Sequence, residues 1–459
     1  MAHPTRMKNN HATQLRLDPE QESPLPANGD SAFHDPAFAN NKILPIHRWV
    51  PWIAGFSSDF VKDALSRYLP SKGTVLDPFA GVGTTLVEAV LAGHEAVGFE
   101  INPYAALACR TKLNAHRITV DSLRDEIQRF KLFYNESISS NYVPKSLAPK
   151  GFKTRAEFYS ANVLRKVLIL QDFIHTIEDR SLRDLFRLAF AATMVRYSNY
   201  SYEPSLGRRV SAGKEEIQDF PVAQAILRKL SEMIEDISWI RTQLPYNTVS
   251  AQVVNQSFFQ YENYLDRESI DLIVTSPPYL NNYHYNRNTR PQLYWLGYAE
   301  SPRDLSSLEG LNFGKYWQTV REQERIELCF SPPSSDLEVQ LQTLREINPD
   351  KGIYGGNGWA NYAASYFNDC YKFANGILNV LKPGGAALVV IGNSILQGQL
   401  IPTDQYFGKI AESVGLELVR IDIPRATRVG NSIIQSDVRV AKAKDSHQLY
   451  EAVIELRKH

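Results

Sequence analysis

The most constraining feature of the chain is residues 74–100, which read "TVLDPFAGVGTTLVEAVLAGHEAVGFE". A short apolar strand ends at Asp77, and a loop with two glycines follows it. A helix then begins near Thr84 and ends at Gly93, and a second buried strand ends at Glu100. Because strand–loop–helix–strand units of this kind build parallel sheets with crossover helices, the stretch predicts an α/β fold.

The rest of the chain continues that pattern with two interruptions. Helical spacing of apolar residues without strand alternation predicts a helical insertion over 121–248, and 281–360 is a variable aromatic segment. Further strands are predicted in "SAQVVNQSF", "IDLIVTS", "AALVVIGNS", "LELVRIDI" and, as an edge strand, "YEAVIELRK". The sequence therefore predicts a doubly wound, mostly parallel sheet formed by residues 41–120 and 249–459, preceded by a mobile polar tail, residues 1–40.

Composition excludes several classes of protein. The 50 basic and 50 acidic side chains cancel, so binding to nucleic acid would need a local basic surface. The three cysteines are widely spaced and form no Cys-x-x-Cys motif. This spacing argues against a disulfide framework and a zinc site, and it fits a reducing compartment. The ten histidines form no ligand cluster, so no metal is expected. No apolar run approaches the roughly 18 residues of a membrane span, and we expect a cytoplasmic protein.

The glycine loop is a candidate ligand site. Gly81 and Gly83 permit a tight turn and close approach of a ligand, next to the free N–H groups of a helix start. Glu100 ends the next strand, where a carboxylate accepts the ribose hydroxyls of a nucleoside cofactor. A Gly-x-Gly turn can also serve packing alone. The loop lacks the Gly-Lys-Ser/Thr of a triphosphate loop and the third glycine of a dinucleotide fingerprint.

A second candidate site is the corner "TSPPY", residues 275–279, which directly follows a buried strand. Pro277 and Pro278 have no N–H to donate, so the strand must end there in a rigid backbone. The plainer interpretation is a proline-rich turn with a surface tyrosine. A similar "FSPPSSD", residues 330–336, follows no clear strand and has no aromatic after the prolines, so we interpret it as a loop.

Taken together, "DPFAGVGTT" and "TSPPY" resemble the S-adenosylmethionine-dependent DNA methyltransferases that modify exocyclic amino groups. The resemblance covers 71–115 and 250–285, extends to 47–62 and 376–457, and is absent elsewhere. It implies that Asp77, Phe79, Gly81, Gly83 and Thr84 form the cofactor loop and that Glu100 binds the ribose. It also implies that Phe56 and Ser57 lie near the cofactor. The third family motif often carries an acidic residue, whereas Asn255, Gln256 and Ser257 stand here.

The resemblance implies that the proline corner is catalytic. Its residues are Ser276, Pro277, Pro278 and Tyr279. The lone pair of a base amino group is delocalised into the ring, and two acceptors beside its hydrogens favour a more pyramidal nitrogen. The Ser276 hydroxyl and the Pro277 carbonyl are the candidate acceptors, and Tyr279 is expected to stack on an extruded base. No covalent enzyme–base adduct is implied.

The expected activity is therefore methylation of N4 of cytosine in a specific double-stranded DNA sequence, as the modification enzyme of a restriction-modification system. Family members with Ser before Pro-Pro mostly modify cytosine, and those with Asp or Asn mostly modify adenine. The alternatives are an N6-adenine DNA methyltransferase, an RNA amino-methyltransferase and a non-catalytic nucleic-acid-binding protein. A cognate restriction endonuclease is a candidate partner.

Target recognition is expected in the variable segments. "HYNRNTRPQLYWLGY" supplies Arg287, Arg290, Tyr294 and Trp295, and the insertion supplies Arg196, Arg208, Arg209 and Lys214. Arginine bridges guanine edges or holds phosphates, although a single surface arginine is more often only solvated.

Overall fold

The computed structural model describes residues 33, 36, 38–52, 55, 57–202, 206–244, 249–280, 285–427 and 449–459. Its strands are β1 Thr74–Asp77, β2 Glu95–Phe99, β3 Tyr200–Tyr202, β4 Leu206–Arg208, β5 Ala251–Val254, β6 Ile270–Thr275, β7 Leu381–Gly392, β8 Ser394–Leu396, β9 Gln399–Ile401, β10 Glu417–Thr427 and β11 Leu449–Arg457. Most of the predicted tail, residues 1–40, lies outside the described residues, but Phe33 is buried against Phe60.

Seven strands form the central sheet in the order β10-β11-β7-β6-β1-β2-β5. The pairs from β5 to β7 are parallel, whereas β11 runs antiparallel between β7 and β10. The prediction of a mostly parallel α/β sheet is therefore confirmed. The prediction of an edge strand at "YEAVIELRK" is wrong, because β11 pairs on both sides and buries the run 452–456.

The helices are α1 Ser58–Tyr68, α2 Thr84–Leu91, α3 Pro103–Leu113, α4 Val120–Ser139, α5 Ala161–His175, α6 Arg180–Thr193, α7 Val222–Gln243, α8 Tyr285–Asn288, α9 Arg290–Trp295, α10 Pro302–Gly310, α11 Trp317–Val320, α12 Asp336–Arg345, α13 Gly356–Val380 and α14 Thr403–Val414. Short 3₁₀ turns occur between several of them.

Helices cover both faces of the sheet. Alternate residues of a strand point to opposite faces, and in β6 the side chains of Leu272 and Val274 join one hydrophobic core while Ile273 joins the other. The first core contains helices α1 to α7, and the second contains α12, α13 and α14. A sheet buried on both faces needs nearly continuous apolar strands, as "IDLIVT" has.

The chain between α3 and β5 is mainly helical, with α4 to α7 packed on one another and β3 and β4 forming a small hairpin. Its apolar residues share the first core with α1 to α3, so this segment packs against the sheet-covering helices. We propose that 121–248 is an insertion into one α/β domain formed by 41–120 and 249–459.

Candidate active site

A cavity of about 690 Å³ lies at the carboxyl ends of β1, β2, β5 and β6, where open α/β sheets bind ligands. Of the residues singled out from the cofactor and catalytic motifs, Phe79, Gly81, Glu100, Ser276 and Pro278 line this cavity. Two motifs about 200 residues apart in the chain therefore border one space.

The glycine loop needs both of its glycines. Gly81 and Gly83 have φ values of 51° and 87°, which only glycine adopts without strain. A Cβ on Gly83 would lie 2.4 Å from the Sγ of Cys109, because α3 packs directly behind the loop. A Cβ on Gly81 would lie 3.3 Å from the Nε1 of Trp52. The loop thus fits tightly between α3 and the Trp52 side chain.

Glu100 holds the glycine loop and lines the cavity. Its Oε2 accepts from the backbone N–H of Gly81 at 2.8 Å, and its Oε1 accepts from that of Asn102 at 2.6 Å. Burial raises the pKa of Glu100 to about 7, although these two amide hydrogen bonds lower it. Each carboxylate oxygen retains a lone pair, so the pair of oxygens fits the two hydroxyls of a ribose.

Asp77 does not line the cavity, in contrast to what the resemblance implied, because its side chain is fully buried. Its Oδ1 accepts from the Phe79 N–H at 3.0 Å and from the Thr275 hydroxyl at 2.7 Å, which joins the ends of β1 and β6. Burial raises the pKa of Asp77 to about 6, although hydrogen bonds with Thr275, with Thr85 and with the Phe79 N–H lower it.

The proline corner is held in place by α13. The Pro278 carbonyl accepts from the Tyr366 hydroxyl at 3.1 Å, and Tyr366 belongs to the buried face of α13. Pro277 is buried, whereas Ser276 is half-buried. No group of the described residues hydrogen-bonds the Ser276 hydroxyl, which leaves it available to an incoming N–H.

Tyr279 is half-buried and not the exposed side chain that the sequence suggested. Its hydroxyl donates to Oε1 of Glu451 at 3.2 Å. Its ring packs on Gly392 at the end of β7, where a Cβ would lie 2.9 Å from the ring atoms. Tyr279 therefore lies on the β7 side of the corner and does not line the cavity that Glu100 borders.

The other described residues that were predicted to lie near the cofactor form hydrogen bonds within the protein. Thr84 is buried at the start of α2, and its Oγ1 accepts from Asn41 at 3.4 Å. Ser57 caps α1 by accepting from the Phe60 N–H at 3.1 Å. Phe56 lies outside the described residues. Asn255 donates to the carbonyl of Glu100 at 2.7 Å, so its amide shapes the loop after β2.

Several lining residues were missed from the sequence. Leu311, Asn312 and Phe313 close one side of the cavity, although they belong to the segment expected to recognise DNA. The Phe313 ring packs edge-on against Phe79 at 5.2 Å. Other lining residues not singled out are Trp52, Pro78, Phe99, Ile101, Asn102, Phe258 and Asn286. In the sequence, only the aromatic content of residues 281–360 indicated that Leu311, Asn312 and Phe313 could contribute to a site.

Trp52 is positioned by a buried carboxylate of the helical segment. Asp236 of α7 accepts from the Ile46 N–H at 2.8 Å, from Trp49 Nε1 at 2.9 Å and from Arg48 at 2.6 Å. These bonds fix the 3₁₀ turn that precedes Trp52, and Trp52 then packs on Gly81.

The candidate recognition arginines divide into two groups. Arg208 pairs with Glu216 at 3.3 Å, Arg209 donates to the Glu215 carbonyl, and Arg290 donates to the Lys153 carbonyl. Tyr294 and Trp295 are buried, so neither presents its ring to a ligand outside. Arg196 and Arg287 are exposed and form no ion pair within the described ranges.

No helix of the described segments is both long enough and apolar enough to cross a membrane. Within those same segments, no group of three His, Cys, Asp or Glu side chains is arranged to hold a metal ion.

Gly83→Ala is predicted to damage the cofactor loop. The new Cβ would overlap the Cys109 Sγ, and positive φ costs a non-glycine residue about 1 to 3 kcal/mol. We expect a lower melting temperature and weaker S-adenosylmethionine binding, measured by thermal denaturation and calorimetry. The double variant Gly83→Ala/Cys109→Ala should recover part of the loss, because only the overlap is relieved. Gly213→Ala, also at positive φ but with open space around it, is the control for backbone strain alone.

Comparison with known proteins agrees with this geometry. A family model for DNA methylases of the N6/N4 methyltransferase type matches residues 35–109, which include the glycine loop. The chain is 24% identical over 439 residues to the Type II methyltransferase M.BsoBI of Geobacillus stearothermophilus, covering 86% of this chain and 83% of that protein.

Two further relatives extend the similarity. Type II methyltransferase M.AvaI of Nostoc sp. is 24% identical over 420 residues, covering 86% of this chain and 84% of the relative. Type II methyltransferase M.MvaI of Kocuria varians is 22% identical over 348 residues, covering 73% of each chain. These findings support the N4/N6 DNA amino-methyltransferase family, and the resemblance drawn from the two motifs is confirmed.

Proposed function

We propose that this chain transfers a methyl group from S-adenosylmethionine to N4 of cytosine in a specific duplex DNA sequence. Its sequence similarity supports membership of the N4/N6 DNA amino-methyltransferase family. The observation that most strongly supports this proposal is that Glu100, Gly81 and Ser276 border one cavity. A nucleoside-binding carboxylate and an acceptor for an amino group thus lie where donor and acceptor must meet. Catalysis by positioning requires such proximity.

The residues present fit S-adenosylmethionine. The Glu100 oxygens would accept the ribose hydroxyls, and the Gly81 loop, which Asp77 holds from beneath through the Phe79 N–H, would lie against the methionine end. Phe258, Phe313 and Ile101 supply an apolar wall for the adenine ring. When bound, the cofactor supplies an electrophilic methyl group on its sulfonium sulfur.

The chain's own groups then act on the acceptor amine. Ser276 Oγ and the Pro277 carbonyl accept hydrogen bonds from its two N–H groups, which favours a pyramidal nitrogen with an available lone pair, and one of these two protons leaves to water once the nitrogen carries the methyl group. Tyr366 and the two prolines hold the corner rigid, so no reorganisation is needed at the moment of transfer. Tyr279 stacks on the extruded base from the β7 side, held there by Glu451.

The proposed role in a restriction-modification system rests on the relatives. M.BsoBI, M.AvaI and M.MvaI are each named Type II methyltransferases, and the first two align over 86% of this chain. We propose that this chain is likewise the modification enzyme of such a system, with a restriction endonuclease of the same sequence specificity as its partner. N6-adenine methylation is the second candidate, because adenine also presents an amino group beside a ring nitrogen.

The test is methyl transfer by the purified chain. Tritium-labelled S-adenosylmethionine is incubated with the chain and with mixed-sequence duplex DNA or with transfer RNA. Label in the duplex DNA is the expected result. Label in RNA alone would assign the chain to the RNA amino-methyltransferases, and no label in either would contradict the proposal. Methylation-sensitive sequencing of DNA from expressing cells would then give the recognition sequence.

A further inference from the structure

A basic strap, residues 140–156, forms most of the connection between α4 and α5. It contains Lys145, Lys150, Lys153 and Arg155, and the one acidic residue of the connection, Glu157, follows it and is also exposed. All four basic side chains are exposed, and none of them forms an ion pair with any residue that the structure describes. In a chain with 50 acidic and 50 basic residues, four cations against one carboxylate in a short connection are a local excess of positive charge.

The backbone of the basic strap is held firmly at its first half. Asp172 of α5 accepts from the N–H of Lys145 at 2.8 Å, from that of Ser146 at 2.7 Å and from the Tyr142 hydroxyl at 2.9 Å. Arg165 donates to the carbonyls of Ser137, Ser140 and Tyr142 at 3.1 to 3.3 Å. Asp172 and Arg165 thus bind the backbone of the strap, while the strap's own cationic side chains are exposed to solvent.

The second half is held by the segment that follows the catalytic corner. Arg290 at the start of α9 donates to the Lys153 carbonyl at 2.8 Å. A Cβ on Gly151 would lie 1.9 Å from the Glu300 carbonyl oxygen, so the two backbones touch. A charged segment fixed in this way loses little conformational entropy when it binds a partner.

Beneath the basic strap is a cavity of about 920 Å³ between α5, α6 and α9. Its lining includes His175, Arg183 and Arg187 and no carboxylate side chain. Arg187 pairs with Asp184 at 3.3 Å, whereas Arg183 has no carboxylate partner in the described part of the chain.

We propose that the basic strap and the mouth of this cavity bind the phosphodiester backbone of duplex DNA. The partner must be anionic, because the strap offers four exposed cations and the lining of the cavity has no carboxylate. The inference rests on the proposed function for the identity of the polyanion. Arg290 at the start of α9 joins the strap to the segment that follows the corner in the chain, and phosphate contacts fix the register of a protein on its duplex.

The test is the salt dependence of DNA binding by the triple variant Lys150→Gln/Lys153→Gln/Arg155→Gln. Each lost phosphate contact lowers the slope of log K against log salt by about 0.9. The slope of the variant should therefore be shallower by about 2.7, measured by fluorescence anisotropy with S-adenosylhomocysteine present. Affinity should fall in parallel for a duplex that carries the target sequence and for one that does not, because phosphates carry no sequence information.

The control removes three cations elsewhere on the same chain. Arg117, Lys131 and Arg228 are exposed and have no ion-pair partner among the described residues. Changing all three to glutamine should leave the slope unchanged. Lys150→Gln alone, with an expected slope change of about 0.9, covers the case in which the triple variant fails to fold.

An unchanged slope for Lys150→Gln and for a folded triple variant would overturn the assignment of the strap. So would an equal change in the control, since bulk charge would then explain it. This outcome is separate from the proposed function, which is judged by methyl transfer of the unaltered chain. A chain that methylates DNA while the strap variants keep the original slope would refute only the strap.

Discussion

Ser276→Ala should lower the single-turnover rate of methyl transfer roughly 100-fold, the effect of removing one hydrogen-bonding group at a reacting centre. The Ser276 hydroxyl lines the cavity and has no described protein partner, so its proposed partner is the amine. Affinity for S-adenosylmethionine and for DNA should change little, because the interaction forms only as the nitrogen reacts. Rapid quenching with labelled cofactor and excess protein measures the rate.

The chain supplies a matched control for this substitution. Ser331 also precedes two prolines, but it is exposed in a loop far along the chain from the corner. Ser331→Ala should keep the full rate. A folded Ser276→Ala variant with the full single-turnover rate would remove the hydroxyl from the mechanism while leaving the cofactor site untouched.

Glu100→Ala should weaken S-adenosylmethionine binding by about 10²-fold or more. Hydrogen bonds to a charged group contribute about 1.5 to 3 kcal/mol each, and two ribose hydroxyls would lose their acceptor. The substitution also frees the Gly81 N–H, which the carboxylate holds at 2.8 Å. Calorimetry on the purified variant measures the affinity. Glu95→Gln, an exposed carboxylate at the start of the same strand, is the control and should bind normally.

The pKa of Glu100 adds a pH dependence to this prediction. Burial raises it to about 7, so the carboxylate gains its proton, and loses its charge, as pH falls through that value. Cofactor affinity of the unaltered chain should therefore decrease between about pH 8 and pH 6, and that of Glu100→Gln should vary less. The stability contributed by the raised pKa has the opposite trend: it is fully present below the unfolded-state pKa and is lost as pH rises through about 7.

Residues close in the chain allowed the strand–glycine loop–helix unit to be predicted from sequence. The strand, the two glycines and the helix start occupy residues 74–91, and the turn chemistry there is local. The rigid corner after β6 was equally visible, since prolines end a strand whatever surrounds them.

Contacts between distant residues were not predictable in the same way. Tyr279 bonds Glu451, 172 residues later, and only the paired strands β7 and β11 bring them together. Phe313 closes the cofactor cavity because α13 and Phe79 present apolar rings to it, which no local spacing encodes. Asp77 belonged to the right motif, but the hydroxyl of Thr275 on a neighbouring strand draws it beneath the cavity.

The central claim is methylation of an exocyclic amino group in duplex DNA, and nucleoside mass spectrometry tests it most directly. Unmethylated duplex DNA of genomic length and mixed sequence is treated with the purified chain and isotopically labelled S-adenosylmethionine, then digested to nucleosides. The predicted result is label in N4-methylcytosine, absent with Glu100→Ala under the same conditions. Label confined to N6-methyladenine would contradict the choice of base, and label in 5-methylcytosine or in no nucleoside would contradict the claim itself.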